Sequence, residues 1–176
     1  MPTGKRKSAE VRPVRAVLDT NVLISGIIHH GRVREVIEAA MEGRLTIVTS
    51  LALVSEFSGV ISREKFRLSG DEQDRLVRFV LSLTEVVRTT SRFRAVKEDP
   101  SDDAVLRAAV DGKAGLIISG DRHILSLRGF KGIRIMGVAE ALEMLETREA
   151  MGLTEKSLAG FFEGEPDIYS EKDLKG

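Results

Sequence analysis

A chain of 176 residues, 42% of them apolar, is long enough to bury one core and short enough that a single domain with tails is the default. It has no cysteine, which excludes a disulfide framework and a thiolate metal site, and its 27 basic residues balance 27 acidic ones, so net charge alone announces no nucleic-acid partner. No apolar run is long enough to span a bilayer, and the N-terminal Met-Pro-Thr-Gly-Lys-Arg-Lys lacks the apolar centre of a signal peptide; a soluble protein in a cytoplasmic setting, with no membrane partner, is expected.

The first strand is Ala16-Val17-Leu18, which stops at Asp19. Apolar residues resume at Val22, Leu23, Ile24, Ile27 and Ile28, so the chain reads as a buried strand passing directly into a helix that begins near Thr20. Asp19 at that joint has two readings: a cap for the helix, or an acid facing a ligand crevice. After a polar break at His29-His30-Gly31-Arg32, Val33, Val36, Ile37, Ala40 and Met41 repeat with helical spacing, and Gly43 ends the helix. Leu45-Thr46-Ile47-Val48 predicts a strand, and Ser50 caps a helix with Leu51, Val54, Phe57 and Ile61 on one face. Glu56 lies inside that helix, either at its solvent margin or aimed into a polar pocket.

Ser69-Gly70-Asp71-Glu72 opens a further helix through Leu76, Phe79, Val80 and Leu83, and Glu85-Val86-Val87 follows as a short strand. A second basic stretch carries Arg88, Arg92, Arg94 and Lys97, which reads either as a track for a phosphate backbone or, in preference, as a solvated loop. Pro100 forces Asp99 out of helical geometry, so the next helix starts after it, near Ser101 or Asp102, with Asp102 and Asp103 crowding that start. Capping needs one carboxylate; the surplus asks for a cation or a basic partner. Leu116-Ile117-Ile118 is the most strand-like run, and it repeats the pattern of the first: strand, then Ser119-Gly120-Asp121, then helix. Ile133 to Met136 gives a last strand, and Val138, Leu142 and Leu145 a last core helix.

Strands alternating with helices imply a parallel sheet with helices on both faces, joined by right-handed crossovers. Asp19 and Asp121 then share one sheet edge, which Asp102-Asp103 could reach. Oxygen ligands without His or Cys suit Mg²⁺ or Mn²⁺, and such ions serve phosphodiester chemistry. Other α/β chemistries lack their parts: there is no G-x-G-x-x-G after the first strand, no Walker A loop, no serine in a nucleophile elbow, and His29, His30 and His123 are not spaced as a zinc site. A phosphatase with an aspartyl nucleophile would want an acid where Asn21 stands.

Four stretches carry a family resemblance: Leu-Asp-Thr-Asn-Val-Leu-Ile-Ser at 18–25, Glu56, Asp-Pro-Ser-Asp-Asp at 99–103 before Ala-Val-Leu-Arg-Ala-Ala, and Ile-Ser-Gly-Asp-Arg-His-Ile-Leu at 118–125. In this order they resemble the motifs of the PIN-domain family, and within it the VapC-like toxins of toxin-antitoxin modules. The resemblance implies a Rossmann-like, three-layer α/β fold over residues 14–146, preceded by a basic arm at 1–13 and followed by an acidic amphipathic extension at 147–176. It implies an Mg²⁺- or Mn²⁺-dependent endoribonuclease in which Asp19, Glu56, Asp102 and Asp121 are the catalytic, metal-holding acids, with hydrolysis leaving a 5′-phosphate and a 3′-hydroxyl. Thr20, Asn21, Asp103 and Ser119 would be supporting residues; Asp103 is the alternative third ligand. RNA, an antitoxin protein and a second copy of the chain, as homodimer or higher oligomer, are the implied partners.

Two further readings stay open. A PIN-like fold can serve as a non-catalytic RNA-binding or assembly module, its acids merely capping helices. In the extension, Leu153, Leu158, Phe161, Phe162, Ile168 and Tyr169 are interleaved with acids, as in a helix that packs on its own domain or a dimer mate, or in a segment that covers a basic RNA groove.

Overall fold

The computed structural model describes residues 11–96 and 99–163, the last eleven of these as backbone only. Residues 1–10 of the basic arm and the end of the extension, with Ile168 and Tyr169, lie outside the described residues. Residues 12–143 form one compact unit, and residues from 144 onward belong to a second.

The first unit alternates strand and helix as the periodicity predicts. Strand β1 (Val14–Leu18) is followed by α1 (Thr20–Ile28) and α2 (Arg32–Met41), then β2 (Leu45–Ser50), α3 (Leu51–Ile61), a 3₁₀ turn at Glu64–Phe66, α4 (Gly70–Leu83) and β3 (Thr84–Val87). After the basic segment come α5 (Pro100–Asp111), β4 (Leu116–Ile118), α6 (Arg122–Ser126), β5 (Gly129–Phe130), β6 (Ile133–Met136) and the start of α7 (Val138–Glu163). Local chemistry sets the boundaries. Ser69 and Glu72 close a capping box at the start of α4, Ser50 caps α3, and Pro100 occupies the first turn of α5, where its missing N–H costs nothing.

The sheet order is β3-β2-β1-β4-β6-β5. All neighbours are parallel except β5 and β6, which pair antiparallel. The central parallel sheet expected from the sequence is present, with one antiparallel strand added at its edge. Lys131 and Gly132 both have positive φ, 48° and 80°, the pair of left-handed residues that closes a two-residue hairpin. With only two residues, β5 leaves no periodicity to read.

Because β2 and β3 lie on one side of β1 and β4 and β6 on the other, the chain reverses its winding between β1 and β4. Loops following these two strands diverge and open a crevice at their carboxyl ends. Val17, Ile117 and Val48 beneath it are fully buried, with Leu106, Ala108 and Ala109 of α5. α5 approaches the sheet closely through Gly112, where a Cβ would lie 2.4 Å from Val48 Cγ1 and 2.7 Å from the Ala108 carbonyl.

The basic segment 88–96 is a loop, as expected, and it is tethered. Asp103, Arg107 and Asp111 stand four residues apart and so share one face of α5. Asp111 accepts from the N–H of Thr90 (2.8 Å) and Ser91 (3.0 Å) and from the Ser91 hydroxyl (2.5 Å). Arg107 donates to the Phe93 carbonyl at 2.6 and 3.2 Å. Asp103 Oδ1 accepts from the N–H of Ala95 (2.8 Å) and Val96 (3.0 Å). The segment therefore runs along α5 from its last turn towards its first.

α7 continues as one helix to Glu163. Among the described residues no helix is long and apolar enough to cross a membrane.

Candidate active site

Three acids reach the crevice by ending or beginning an element there. Asp19 follows β1 and caps α1: Oδ1 accepts from the Val22 N–H at 2.8 Å. Its Oδ2 accepts from the Gly120 N–H at 3.0 Å and from the Ser119 hydroxyl, so the loop after β4 clamps the acid after β1. Asp121 follows β4 and caps α6, accepting from the N–H of His123 (2.7 Å) and Ile124 (3.4 Å). Ser119, fully buried, also accepts from the Asp121 N–H at 3.0 Å, and so links the two acids through one hydroxyl. Asp99 caps α5 through Ser101, whose N–H and hydroxyl donate to it at 2.9 and 2.7 Å and hold its carboxyl below the usual range.

Asp102 differs from all three. It is 6% exposed, caps nothing, and its Oδ2 is buried without a hydrogen-bond partner. Burial, then the neighbouring charges of Asp121, Asp99 and Asp19, push its pKa up to about 6, against a smaller opposing pull from His123. An unsatisfied buried carboxylate oxygen costs free energy that a native fold offsets with a ligand or retains for function.

Glu56 enters from α3, half-buried. Burial is the main cause that raises its pKa, opposed by a side-chain hydrogen bond with Thr20 and reinforced by Asp99 and Asp19. Of its two readings the pocket holds. Asp19, Thr20, Asn21, Glu56, Asp99, Asp102 and Asp121 line a single cavity of ≈ 200 Å³, with Arg63 as its one lining cation among the described residues. The structure therefore brings together the four acids named from the sequence, with Thr20 and Asn21.

Asp103 does not join them. It is 2% exposed and spends Oδ1 on the Ala95 and Val96 amides, with Oδ2 4.0 Å from Arg107. Ser119 acts from beneath, through Asp19 and Asp121. Asp99 and Arg63 were missed as site residues. Asp99 carried a signal, since an Asp before Pro at a helix start is held at the mouth of the crevice. Arg63 carried one too: seven residues after Glu56, it falls on the same helical face extended.

An all-oxygen donor set with one unsatisfied buried oxygen fits a hard divalent cation such as Mg²⁺ or Mn²⁺. Among the described residues no group of three or more His, Cys, Asp or Glu side chains is placed as it stands to hold a metal ion. Three of the acids are turned to helix N–H groups, as an uncompensated cluster requires.

Comparison with known proteins places this geometry. Residues 15–123 match the family model described as PIN domain, well over half of the chain. The crystal structure of PAE2754 from Pyrobaculum aerophilum has the same fold: TM-score 0.50 at 16% identity, covering 77% of this chain and 98% of that one. The structure of VapBC2 from Rickettsia felis bound to a DNA fragment from its promoter aligns with TM-score 0.49 at 14% identity, covering 70% of this chain and 98% of that one. No curated protein matches the chain.

Proposed function

Because the chain belongs to the PIN-domain family, we propose that it is a divalent-metal-dependent endoribonuclease whose reaction takes place in the pocket between β1 and β4. One observation carries the reading. Helix capping accounts for Asp19, Asp99 and Asp121, but leaves Asp102 buried in their midst with an oxygen that no group among the described residues satisfies. A chain using its acids only as caps has no reason to place a fourth carboxylate there.

The residues divide the work by position. Asp102 Oδ2 is the free ligand oxygen; with Asp19, Asp121 and Glu56 it would hold Mg²⁺ or Mn²⁺. When bound, such an ion neutralises phosphate charge and makes a water nucleophilic near neutral pH. Ser119 and the Gly120 N–H fix the Asp19 carboxylate, so that its remaining lone pairs face the pocket without rotamer search. Thr20 holds Glu56 in the same way. Glu56, its proton affinity raised by burial, is suited to take a proton from an attacking water or orient it. Arg63, the lining cation, is placed to meet a phosphate oxygen.

The motif resemblance extends this reading to the VapC-like group: a toxin held in check by an antitoxin protein, acting on RNA as a homodimer or higher oligomer in the cytoplasm. Supporting it are the four motifs in family order and the pocket they line.

Isothermal titration of Mn²⁺ into the wild type and Asp102→Asn tests the metal reading apart from any choice of RNA. Binding to the wild type, weakened at least tenfold in the variant, is expected. No heat of binding with either protein would favour the rival reading, a PIN-fold RNA-binding or assembly module whose acids are caps.

A further inference from the structure

We propose that segment 90–96 is a fixed strip for the phosphate backbone of single-stranded RNA, with Arg92 and Arg94 as its phosphate-contacting residues. The identity of the strand rests on the nuclease reading above.

The strip is built, rather than merely exposed. The Asp103, Arg107 and Asp111 side chains of α5 hold it at three successive points. Phe93 is fastened again on its ring side: it lies 5.2 Å from the Phe130 ring, and Lys131 Nζ stands 4.5 Å from one ring and 5.6 Å from the other. Between these anchors exposure alternates. Ser91, Phe93 and Ala95 are half-buried, while Arg92 and Arg94 are exposed. Alternation of that kind puts both guanidinium groups on the outer side, about 6.6 Å apart along an extended chain.

The charges are also unspent. Among the described residues neither Arg92 nor Arg94 has an ionic partner, although Asp103 and Asp111 lie directly behind them. Those acids are occupied with backbone N–H groups, so the strap uses its acids inward and keeps its bases outward. Lys131 adds a third exposed cation beside Phe93.

A regular series of fixed positive charges fits a regular series of negative ones. A flexible arginine loop would lose ordering entropy on binding; here the fold has already fixed the backbone. The direction fits as well, because the segment leads towards the first turn of α5, where Asp99 lines the pocket. A strand lying on the strip would be delivered to the acids, which by themselves repel it.

The test is the binding of a labelled single-stranded RNA in chelator, where nothing is cleaved, followed by fluorescence anisotropy over a series of salt concentrations. Arg92→Gln/Arg94→Gln is compared with the wild type and with Arg75→Gln/Arg78→Gln, which removes the same charge from exposed positions on α4. Losing two phosphate contacts should flatten the slope of log K against log salt by about 1.4 and weaken binding about tenfold near 0.1 M salt. The α4 variant should match the wild type, and all three proteins should melt together. Equal RNA binding by strip variant and wild type, an equal loss in the α4 variant, or no binding by the wild type would overturn the strip. So would polyglutamate competing as well as RNA of equal charge, which would make the strip a site for acidic protein. Strip-dependent binding without cleavage in Mn²⁺ would sink the nuclease reading and leave the strip standing.

Discussion

Asp102 is a carboxylate that the fold keeps at a cost whenever no cation is present. Its pKa rises from an ordinary 3.8 to about 6, so the folded protein holds that proton more tightly than the unfolded chain does. The unfolded chain therefore binds fewer protons between these values, and the contribution of Asp102 to stability falls as pH rises through the window. At 1.36 kcal/mol per pH unit the whole gap corresponds to about 3 kcal/mol. An effective dielectric well above that of a dry interior leaves about half of that. Asp102→Asn keeps the shape and removes the charge. In chelator near pH 7.5 the variant should be more stable than the wild type by roughly 1–2 kcal/mol, a rise of a few degrees in Tm for a chain of this size. Near pH 4.5, between the two values, the advantage should shrink to about a third, and it should vanish only below the ordinary 3.8. Thermal unfolding followed by circular dichroism at both pH values decides it. A variant that melts below the wild type near pH 7.5, or one whose advantage is the same at both, refutes the buried-charge reasoning.

Asp103→Ala should cost about 2–3 kcal/mol in urea unfolding, because the Ala95 and Val96 amides lose their acceptor; an unchanged midpoint would show that the segment does not need its tether. Gly112→Ala should destabilise by at least ~2 kcal/mol, since its Cβ would lie 2.4 Å from Val48 Cγ1 against a close-packed sheet; a neutral result in the same assay would contradict that packing. Ser119→Ala removes one of the two donors to Asp19 Oδ2 and the acceptor of the Asp121 N–H, and should weaken Mn²⁺ binding about tenfold in calorimetric titration. Equal affinity would mean that Ser119 orients nothing.

The sequence was most legible where one residue does one local job. Strands ending in an acid and reopening as a helix placed Asp19 and Asp121 on a shared edge, because a parallel sheet fixes which end of every strand points where. Capping chemistry placed the starts of α3 and α4 to within a residue, whereas α5 begins at Pro100, one or two residues before the expected Ser101 or Asp102, because proline fits the first turn. The illegible parts depend on long-range partners. Asp102 and Asp103 are adjacent and chemically identical in the sequence; a helix turns them about 100° apart, so one meets the pocket and the other the amides of segment 88–96. Nothing local said which. The same holds for that segment, read as a basic loop. Its tether needs the four-residue rhythm of Asp103, Arg107 and Asp111 to be matched with a non-helical stretch, a pairing that only the packed chain reveals. The β5 hairpin escaped because two residues have no period.

Cleavage of a labelled single-stranded RNA, with Mn²⁺, Mg²⁺ or chelator, by the wild type and by Asp19→Asn tests the central claim most directly. The account predicts cleavage by the wild type only when metal is present, products bearing 5′-phosphates, and loss of cleavage in a variant that melts within a few degrees of the wild type. Cleavage by Asp19→Asn at the wild-type rate, or cleavage that chelator leaves unchanged, would contradict it.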